Sequence, residues 1–229
     1  MDNKKITALV PMKGHSERVP NKNMRDFGGS PLYHAIMATL DNSKYVEKVI
    51  INTDSEVIAE DAVKYWKKVQ INWRPEELRG DFVSMNDVIN YDVDHESGCD
   101  IFLQTHSTNP LLQTDTIDAA ITHYFQHVSE NCDSVFGVTK FQSRFYWADG
   151  RAINHNPAEL IRTQDLPPIF EENSNFYIFS RESFKAAGNK RIGLHPAMFA
   201  VNKLEAIDID DPDDFALALA LYNKKNNVI

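Results

Sequence analysis

Lys13, Arg18, Lys22 and Arg25 crowd into one segment, Met12 to Ser30, opposed only by Glu17 and Asp26, in a chain whose formal charge is −9. Local cations on an acidic protein suit an anion. Gly14, Gly28 and Gly29 permit close backbone approach, Ser16, Asn21 and Asn23 add neutral donors, and Pro20 stiffens the middle of the segment. A polyphosphate held by main-chain N–H groups and Lys/Arg side chains fits this mixture best. Neither G-x-x-x-x-G-K-[ST] nor G-x-G-x-x-G occurs, so the common phosphate and dinucleotide loops are excluded. The plain alternative is a solvated loop, since Lys and Arg are ordinary surface residues.

A second constellation lies near the C-terminus, at Ala206-Ile207-Asp208-Ile209-Asp210-Asp211-Pro212-Asp213-Asp214. Strand alternation puts Ile207 and Ile209 on one face and Asp208 and Asp210 on the other, their Cα atoms roughly 6–7 Å apart. Two carboxylates looking the same way at the end of a strand suit Mg²⁺ shared with substrate phosphates. Asp211 before Pro212 reads instead as a helix N-cap, with Asp213 and Asp214 placed to favour the positive end of that helix. A cationic loop and a divalent cation in one sheet imply nucleoside triphosphate chemistry.

These groups need a scaffold that brings residue 13 to residue 208. Ile6 to Val10 reads as a strand and Pro31 to Leu40 as a helix, so the cationic loop joins strand to helix. Such a long connection in a compact domain usually handles a ligand. Further strands are expected at Val46 to Asn52, Ile101 to Leu103, Ser134 to Val138, Asn175 to Phe179 and Glu205 to Asp210. Helices are expected from the Thr53-Asp54-Ser55 cap through about Lys68, with Ile58, Ala62, Trp66 and Val69 as its core stripe, and from about Ser84 to His95. Others run from a Thr114 or Asp115 cap to about Val128, onward from Arg181, and over Pro212 to Tyr222. Gln104 to Pro110 reads as a polar turn. The alternation predicts a three-layer α/β fold around a parallel sheet. From Lys140 to Phe170 the pattern breaks: Phe141, Phe145, Tyr146 and Trp147 cluster, Asp149-Gly150 signals a hairpin, and Pro157, Pro167 and Pro168 recur. That stretch reads as an excursion carrying exposed aromatics, suited to a homodimer contact.

Composition narrows the class. With 229 residues, 42% hydrophobic and 25% charged, the chain reads as one domain able to bury a substantial core. Its negative charge argues against nucleic acid as the main partner. No run approaches the about 20 apolar residues a membrane span needs, and the start shows no signal-peptide pattern, so a cytoplasmic enzyme is expected. Cys99 and Cys132 read as reduced thiols rather than a disulfide. His123 and His127 share a helix face but lack the glutamate of a zinc motif, and His106 is either a turn residue or a ligand contact.

Five ordered stretches resemble the CMP-sugar synthetases, cytidylyltransferases acting on sialic acid and related 3-deoxy-2-keto sugar acids. Val10 to Asn23 is similar to that family's nucleotide loop P-A-R-G-G-S-K-x-I-P-x-K-N, and Asn52 to Ala59 to its S-T-D-S-E-E-I-A segment. Arg74 to Leu78 resembles R-P-E-E-L, Gln164 to Pro167 with Asn173 to Phe179 resemble Q-D-L-P and N-G-A-I-Y-I-F, and Ala206 to Asp210 resembles A-I-D-I-D. The resemblance implies a Rossmann-like, mostly parallel fold, a homodimer formed through the 140–170 excursion, and CTP with Mg²⁺ as cofactor. It places Lys13, Gly14, Ser16, Arg18, Lys22 and Asn23 on the triphosphate, with Arg74 and Ser84 near the nucleotide. Gln104, Arg162, Gln164 and Asn173 would meet the sugar acid, Asp208 and Asp210 the metal, and Lys13, Lys22 and Asp210 would carry catalysis. The reaction would be attack of the sugar's anomeric hydroxyl on the α-phosphate of CTP, expelling pyrophosphate.

The chain departs from the family pattern at named places. Lys13 stands where arginine is usual, exchanging a bidentate fork for a point charge, and His15 replaces a glycine. Leu112 falls where an arginine is usual after a turn longer than the family's, and Ser174 replaces the glycine of N-G-A-I-Y-I-F. Two other readings fit the same residues. One is a different nucleotide-sugar enzyme, such as a glycosyltransferase, because Asp-Ile-Asp also suits a nucleoside diphosphate. The other is a catalytically silent homologue that only binds nucleotide.

Overall fold

A computed structural model describes residues 5–16, 18–80, 82–128 and 131–226; Glu17, counted above within the cationic segment, lies outside them. Seven strands form one sheet: β1 (Ile6–Leu9), β2 (Val46–Thr53), β3 (Val69–Trp73), β4 (Ile101–Thr105), β5 (Ser134–Phe141), β6 (Ile169–Ser180) and β7 (Pro196–Ala200). Their order is β3-β2-β1-β4-β6-β5-β7. β1 pairs in parallel with both β2 and β4, β2 with β3, and β5 with β7, whereas β6 runs antiparallel between β4 and β5. The order reverses between β1 and β4. Open α/β sheets bind ligands at such a reversal, beyond the carboxyl ends of the strands.

Strand alternation divides the core. Ala8, Val49, Ile51, Leu103, Val135 and Ile178 face one side, against α1 (Tyr33–Asp41), α2 (Glu56–Tyr65) and α4 (Thr114–His127). Leu9, Ile50, Phe102, Tyr177 and Phe179 face the other, against α3 (Met85–His95) and α5 (Arg181–Ala186). A third cluster joins Val19, Phe27 and Leu32, on or just beyond the cationic loop, to Ile209 and to Phe215 and Ala218 of α6 (Pro212–Lys225). Helices thus cover both faces of one sheet, the three layers that the alternation predicts.

Several expected elements differ. The helix expected through Lys68 stops at Tyr65, and Val69 opens β3, paired Val49↔Val69 and Ile51↔Ile71 with β2. Trp66 and Val69 share a helical spacing with Ile58 and Ala62, but Val-Gln-Ile-Asn-Trp also alternates, and pairing along β2 wins. β7 is an unexpected edge strand; its proline opens it, a position that needs no ladder donor. Residues 205–210 join no strand of the sheet. Glu205 and Ala206 close a turn on the Asn202 carbonyl, and the residues after them cross the turn that follows β4, with Ile209 N–H donating to the Thr108 carbonyl at 3.0 Å and Asn109 Nδ2 to the Ile207 carbonyl at 3.3 Å. The expected turn begins later than Gln104, since Gln104 and Thr105 complete β4. β6 is much longer than Asn175 to Phe179, because its first half returns the excursion along β5. Gln113, not Thr114 or Asp115, occupies the α4 cap, and Thr114 Oγ1 donates instead to the Thr39 carbonyl at 3.0 Å.

The C-terminal helix begins as its residues dictate. Asp211 accepts from the Asp213 and Asp214 amides, both at 2.9 Å, and Asp214 returns a bond to the Asp211 amide at 3.1 Å, with Pro212 at the first helical position. Because α6 presents Phe215 to the cationic loop, this cap also sets where that loop rests. Asp211→Ala is expected to cost about 1 kcal/mol. For a chain of this size that lowers the melting midpoint by about 2–4 °C, measurable by calorimetry; an unchanged midpoint would mean that Phe215 packing alone places the helix.

Candidate functional site

The cationic segment leaves β1 without leaving the sheet at once. Val10 and Met12 amides still donate to the Ile50 and Asn52 carbonyls, each at 2.9 Å. Gly14 then donates to Asp54 Oδ1 at 2.7 Å, and a Cβ there would lie 2.9 Å from Ser55 Cβ, so the close approach admits only glycine. Asn23 is buried and braces the bend: its Nδ2 donates to the Lys13 carbonyl at 3.1 Å while its Oδ1 accepts from Ser107 Oγ at 2.7 Å. Gly28 and Gly29, at φ +69° and +93°, turn the chain back so that Phe27 N–H reaches the Ser30 carbonyl at 2.7 Å. Ser16 and Lys13 are half-buried along the same segment, and His15 is exposed.

Lys22 and Arg18 meet the acidic segment. Lys22 Nζ donates to the Ile209 carbonyl at 2.5 Å, and Arg18 Nη2 to Asp210 Oδ1 at 2.7 Å. Ile209 is fully buried, while Asp208 and Asp210 both act on the charge of Lys22, so the expected alternation survives although no strand forms. Burial pushes the Lys22 pKa down against the pull of Asp208 and Asp210, and burial pushes the Asp208 carboxyl up against a bond from Thr108. Both shifts point the same way: desolvation outweighs mutual attraction. Asp208 Oδ1 is buried with no hydrogen-bond partner. An orphaned carboxylate oxygen beside a second carboxylate is a fit for Mg²⁺, which takes one or two protein carboxylates and completes its octahedron with water and phosphate. Among the described residues, no group of three or more His, Cys, Asp or Glu side chains stands ready to hold a metal by itself.

A second polar set lies on the α3 face. Arg74 is buried, its Nε donating to Asn52 Oδ1 at 2.7 Å and its Nη2 to the Asn52 carbonyl at 3.0 Å. Asn52 Nδ2 and Asn72 Nδ2 both donate to Asp92 Oδ1, at 2.8 and 2.9 Å. Ser84 caps α3, accepting from the Asn86 amide at 3.2 Å, and remains exposed. Gln104, opposite Leu9 on β1 and Tyr177 on β6, accepts at Oε1 from Arg191 Nη1 at 2.6 Å. Asn173 is buried and engaged at both ends, donating to Thr139 Oγ1 and accepting from the Asn175 amide, each at 3.2 Å. Ser174 takes φ +56°, the conformation for which the family pattern carries glycine.

The fold therefore gathers Lys13, Gly14, Ser16, Arg18, Lys22 and Asn23 on one side of the β1/β4 reversal, with Asp208 and Asp210 against them and Arg74, Ser84 and Gln104 across from them. Arg162 and Gln164 stand apart on the excursion. Arg162 is exposed and paired with Asp165 at 2.7 and 3.2 Å, and the Gln164 carbonyl accepts from Gln142 at 2.6 Å. Nothing in the chain's own hydrogen bonding links either residue to Gln104 among the described residues. Asn52, Asp92, Ser107, Thr108 and Arg191 escaped the sequence reading. Asn52 carries a signal, standing where the family pattern has serine, but Arg191 sits in the featureless Gly188 to Gly193 and carries none.

A doubly wound sheet whose polar side chains collect beyond the carboxyl ends of β1, β2 and β4 defines an α/β protein of the nucleotide-binding kind. The cytidylyltransferase family profile matches residues 7–229, and the chain belongs to that family. It is 30% identical over 230 residues to the CMP-N,N'-diacetyllegionaminic acid synthase of Legionella pneumophila, covering 93% of this chain and 94% of that one. It is 26% identical over 231 residues to the pseudaminic acid cytidylyltransferase of Campylobacter jejuni, covering 95% and 96%. Among solved structures, a CMP:2-keto-3-deoxy-manno-octonic acid synthetase complexed with CTP superposes with a TM-score of 0.70 at 13% identity, covering 96% of this chain and 99% of that one. That likeness bears on the fold.

The Arg74 network has its own titration. Asp92 is fully buried, and burial pushes its pKa from 3.8 up to about 6 against the bonds from Asn52 and Asn72 and the charge of Arg74. The folded value exceeds the unfolded one, so the stabilising contribution is complete below about pH 4 and is lost as pH rises through about 6. Asp92→Asn removes this dependence. Between pH 4 and pH 7 the stability of the native protein is expected to fall relative to the variant by about 3 kcal/mol, read from urea unfolding at each pH. Parallel pH profiles for the two proteins would mean that Asp92 stays ionised when folded.

Proposed function

We propose that this cytidylyltransferase transfers CMP from CTP to the anomeric hydroxyl of a sialic-acid-like 2-keto-3-deoxy sugar acid and releases pyrophosphate. The observation that carries the reading is the contact of the Lys13 to Asn23 loop with Asp208 and Asp210 at the β1/β4 reversal, which sets cations against a carboxylate pair. The legionaminic and pseudaminic acid enzymes among its relatives support the acceptor class.

In this mechanism Lys13, Arg18 and Lys22, with the Ser16 amide, hold the triphosphate, while Gly14, tied to Asp54, and Asn23, tied to Lys13 and Ser107, shape the loop around it. Arg74 and Ser84 orient the nucleoside, and Gln104 faces the acceptor, with Arg162, Gln164 and Asn173 assigned to the same substrate by the family resemblance. The acceptor oxygen forms a bond to the α-phosphorus as the α–β phosphoanhydride breaks, the hydroxyl proton leaves to solvent, and pyrophosphate departs. Mg²⁺ held by Asp208 and Asp210 would polarise the α-phosphate and neutralise charge on the leaving group. Lys13 and Lys22 stabilise the same charge from the other side, the main demand of phosphoryl-type transfer. Lys22 is already withdrawn from water, so its charge acts in a medium that screens it weakly.

No helix among the described residues is long and apolar enough to cross a membrane, and a cytoplasmic setting, where CTP is made, belongs to the same proposal. So does a homodimer through the 140–170 excursion. That stretch exposes Tyr146, Trp147, Leu160 and Phe170, with Leu160 at 95% and Trp147 at 58% exposure. Apolar side chains so concentrated mark a contact surface.

The reaction is tested by pyrophosphate release from each of the four nucleoside triphosphates, with Mg²⁺ and a panel of 2-keto-3-deoxy sugar acids. Release is expected with CTP and a sugar acid together, and Asp210→Ala is expected to slow it by about 100-fold or more. Release that is indifferent to the base, or that persists in the variant at ordinary Mg²⁺, would overturn the reading. For the assembly, light scattering is expected to show a dimer that Trp147→Glu combined with Leu160→Glu converts to monomer; a native monomer would end that part of the proposal.

A further inference from the structure

Arg191 lies outside every role assigned above, yet it is tied to Gln104, one of the residues assigned to the acceptor. Its Nη1 donates to Gln104 Oε1 at 2.6 Å, and its guanidinium carbon sits 4.1 Å from the centre of the Tyr177 ring. Gln104 and Tyr177 are themselves register partners on β4 and β6, so Arg191 spans a rigid pair on two central strands of the sheet. The stacking and the Gln104 bond fix the plane of the fork. Its other N–H groups have no hydrogen-bond or ion-pair partner among the described residues. Glu172 is the nearest carboxylate to act on its charge, and its Oε1 is already taken by the Tyr177 hydroxyl.

The surroundings of Arg191 are equally incomplete. Asn86, Glu172, Tyr177, Lys190, Arg191 and Ile192 line a pocket of about 280 Å³ between α3 and β6. Asn86 Oδ1 is buried without a donor, and His106 Nε2, close enough to feel the charge of Arg191, is buried without a partner. Burial lowers the His106 pKa to about 4, so near neutrality the imidazole is uncharged and does not compete with Arg191 for an anion. A pocket that offers a planar cation with free donors, a second cation in Lys190 and the orphaned Asn86 oxygen wants a ligand carrying an anionic group and hydroxyls. A sugar acid has both.

We propose that Arg191 is the acid-recognising residue of this chain, its guanidinium held by Gln104 and Tyr177 so that its free edge pairs with the carboxylate of the acceptor. The assignment rests on the reading of the protein as a sugar-acid cytidylyltransferase and adds a residue to it. A planar fork binds a carboxylate through two parallel N–H bonds, so the site selects acids over their neutral analogues and not merely polar sugars over apolar ones. Glu172 and the Asn86 oxygen then face the hydroxyls, as acceptors. Because Gln104 adjoins Leu9, three residues before the cationic loop, the carboxylate is placed at the same strand ends as the triphosphate groups.

The test compares wild type, Arg191→Met and Arg191→Lys on a turned-over sugar acid and on its carboxamide, with KM for acid and for CTP measured separately. Arg191→Met is expected to raise KM for the acid by about 30-fold, to leave KM for CTP within about twofold, and to abolish the preference for acid over carboxamide. Arg191→Lys keeps the charge but not the fork and is expected to retain part of that preference. Equal losses on acid and carboxamide would mean that Arg191 only shapes the pocket, and a wild type indifferent to the carboxyl group would overturn the assignment whatever the variants do. If no acid on the panel supports pyrophosphate release, the cytidylyl transfer reading fails instead. Calorimetric binding of the same acids to wild type and Arg191→Met then still decides whether Arg191 recognises a carboxylate: weaker binding to the variant sustains it, equal or absent binding to both refutes it.

Discussion

Val19 and Phe27 hold a strongly cationic loop against an acidic segment, and the rest of the site depends on that apolar contact rather than on the charges it brings together. Both side chains are buried with Ile209 and Phe215, and Phe27 packs edge-on to Phe215 at 5.5 Å and against Tyr222 at 4.9 Å. Full burial of two such side chains contributes about 3–6 kcal/mol together. The Arg18–Asp210 pair, with side chains 66% and 54% exposed, contributes about 0–1 kcal/mol. Arg25 adds its guanidinium over the Phe215 ring at 4.7 Å. Hydrophobic pins therefore decide where the loop sits, and the cations are not what holds it there.

The charged groups between those pins are held short of their best partners. Lys22 donates to a backbone carbonyl rather than to a carboxylate, and Asp208 keeps one buried oxygen unpaired. Burial opposes the ionised form of both. A protein selected only for stability would replace such a pair with apolar side chains, since desolvation outweighs attraction in a half-buried ion pair. Orphaned polar atoms in native structures cluster where something else completes them. The same imbalance recurs on the α3 face, at Asp92 Oδ2, Asn86 Oδ1 and His106 Nε2.

The chemistry of the chain was legible where it followed from local rules. Asp211-Pro212 announces its own capping box, and Ile207 and Ile209 announce a buried stripe whether or not a ladder forms beside them. The cationic loop was legible because like charges crowd there in an acidic chain. What stayed hidden depends on distant pairing. β3 shares its apolar spacing with the helix before it, and only β2 decides between them. β7 is a short edge strand opening on proline, with alternate residues exposed, so no apolar run marks it. Residues 205–210 read as a strand by pattern yet find their hydrogen bonds on the turn at Thr108 and Asn109. Arg191 was invisible because its meaning lies in Gln104 and Tyr177, 87 and 14 positions away.

The division of labour across the sheet follows from period-two alternation on two central strands. At the end of β2, Ile51 faces the α1 layer and Asn52 faces α3; at the end of β4, Leu103 faces the former and Gln104 the latter. One residue of register turns a core position into a recognition position, so every polar side chain that reaches the α3 face there must be satisfied or used. Asn52 is satisfied, by Arg74 and Asp92, and so fixes Arg74 in place. Gln104 donates to the Thr105 carbonyl at 2.9 Å and accepts from Arg191, which has donors left over. The loop after β1 passes between these two, since Leu9 lies beside both Ile50 and Gln104. A group bound along that loop is flanked by an arginine held at Nε and Nη2 by Asn52 on the β2 side and by one held only at Nη1 on the β4 side. The asymmetry gives the crevice a fixed polarity: on the β2 side Asn52 fixes Arg74 and leaves its outward edge to orient a base, whereas on the β4 side Arg191 keeps more of its fork for an acid.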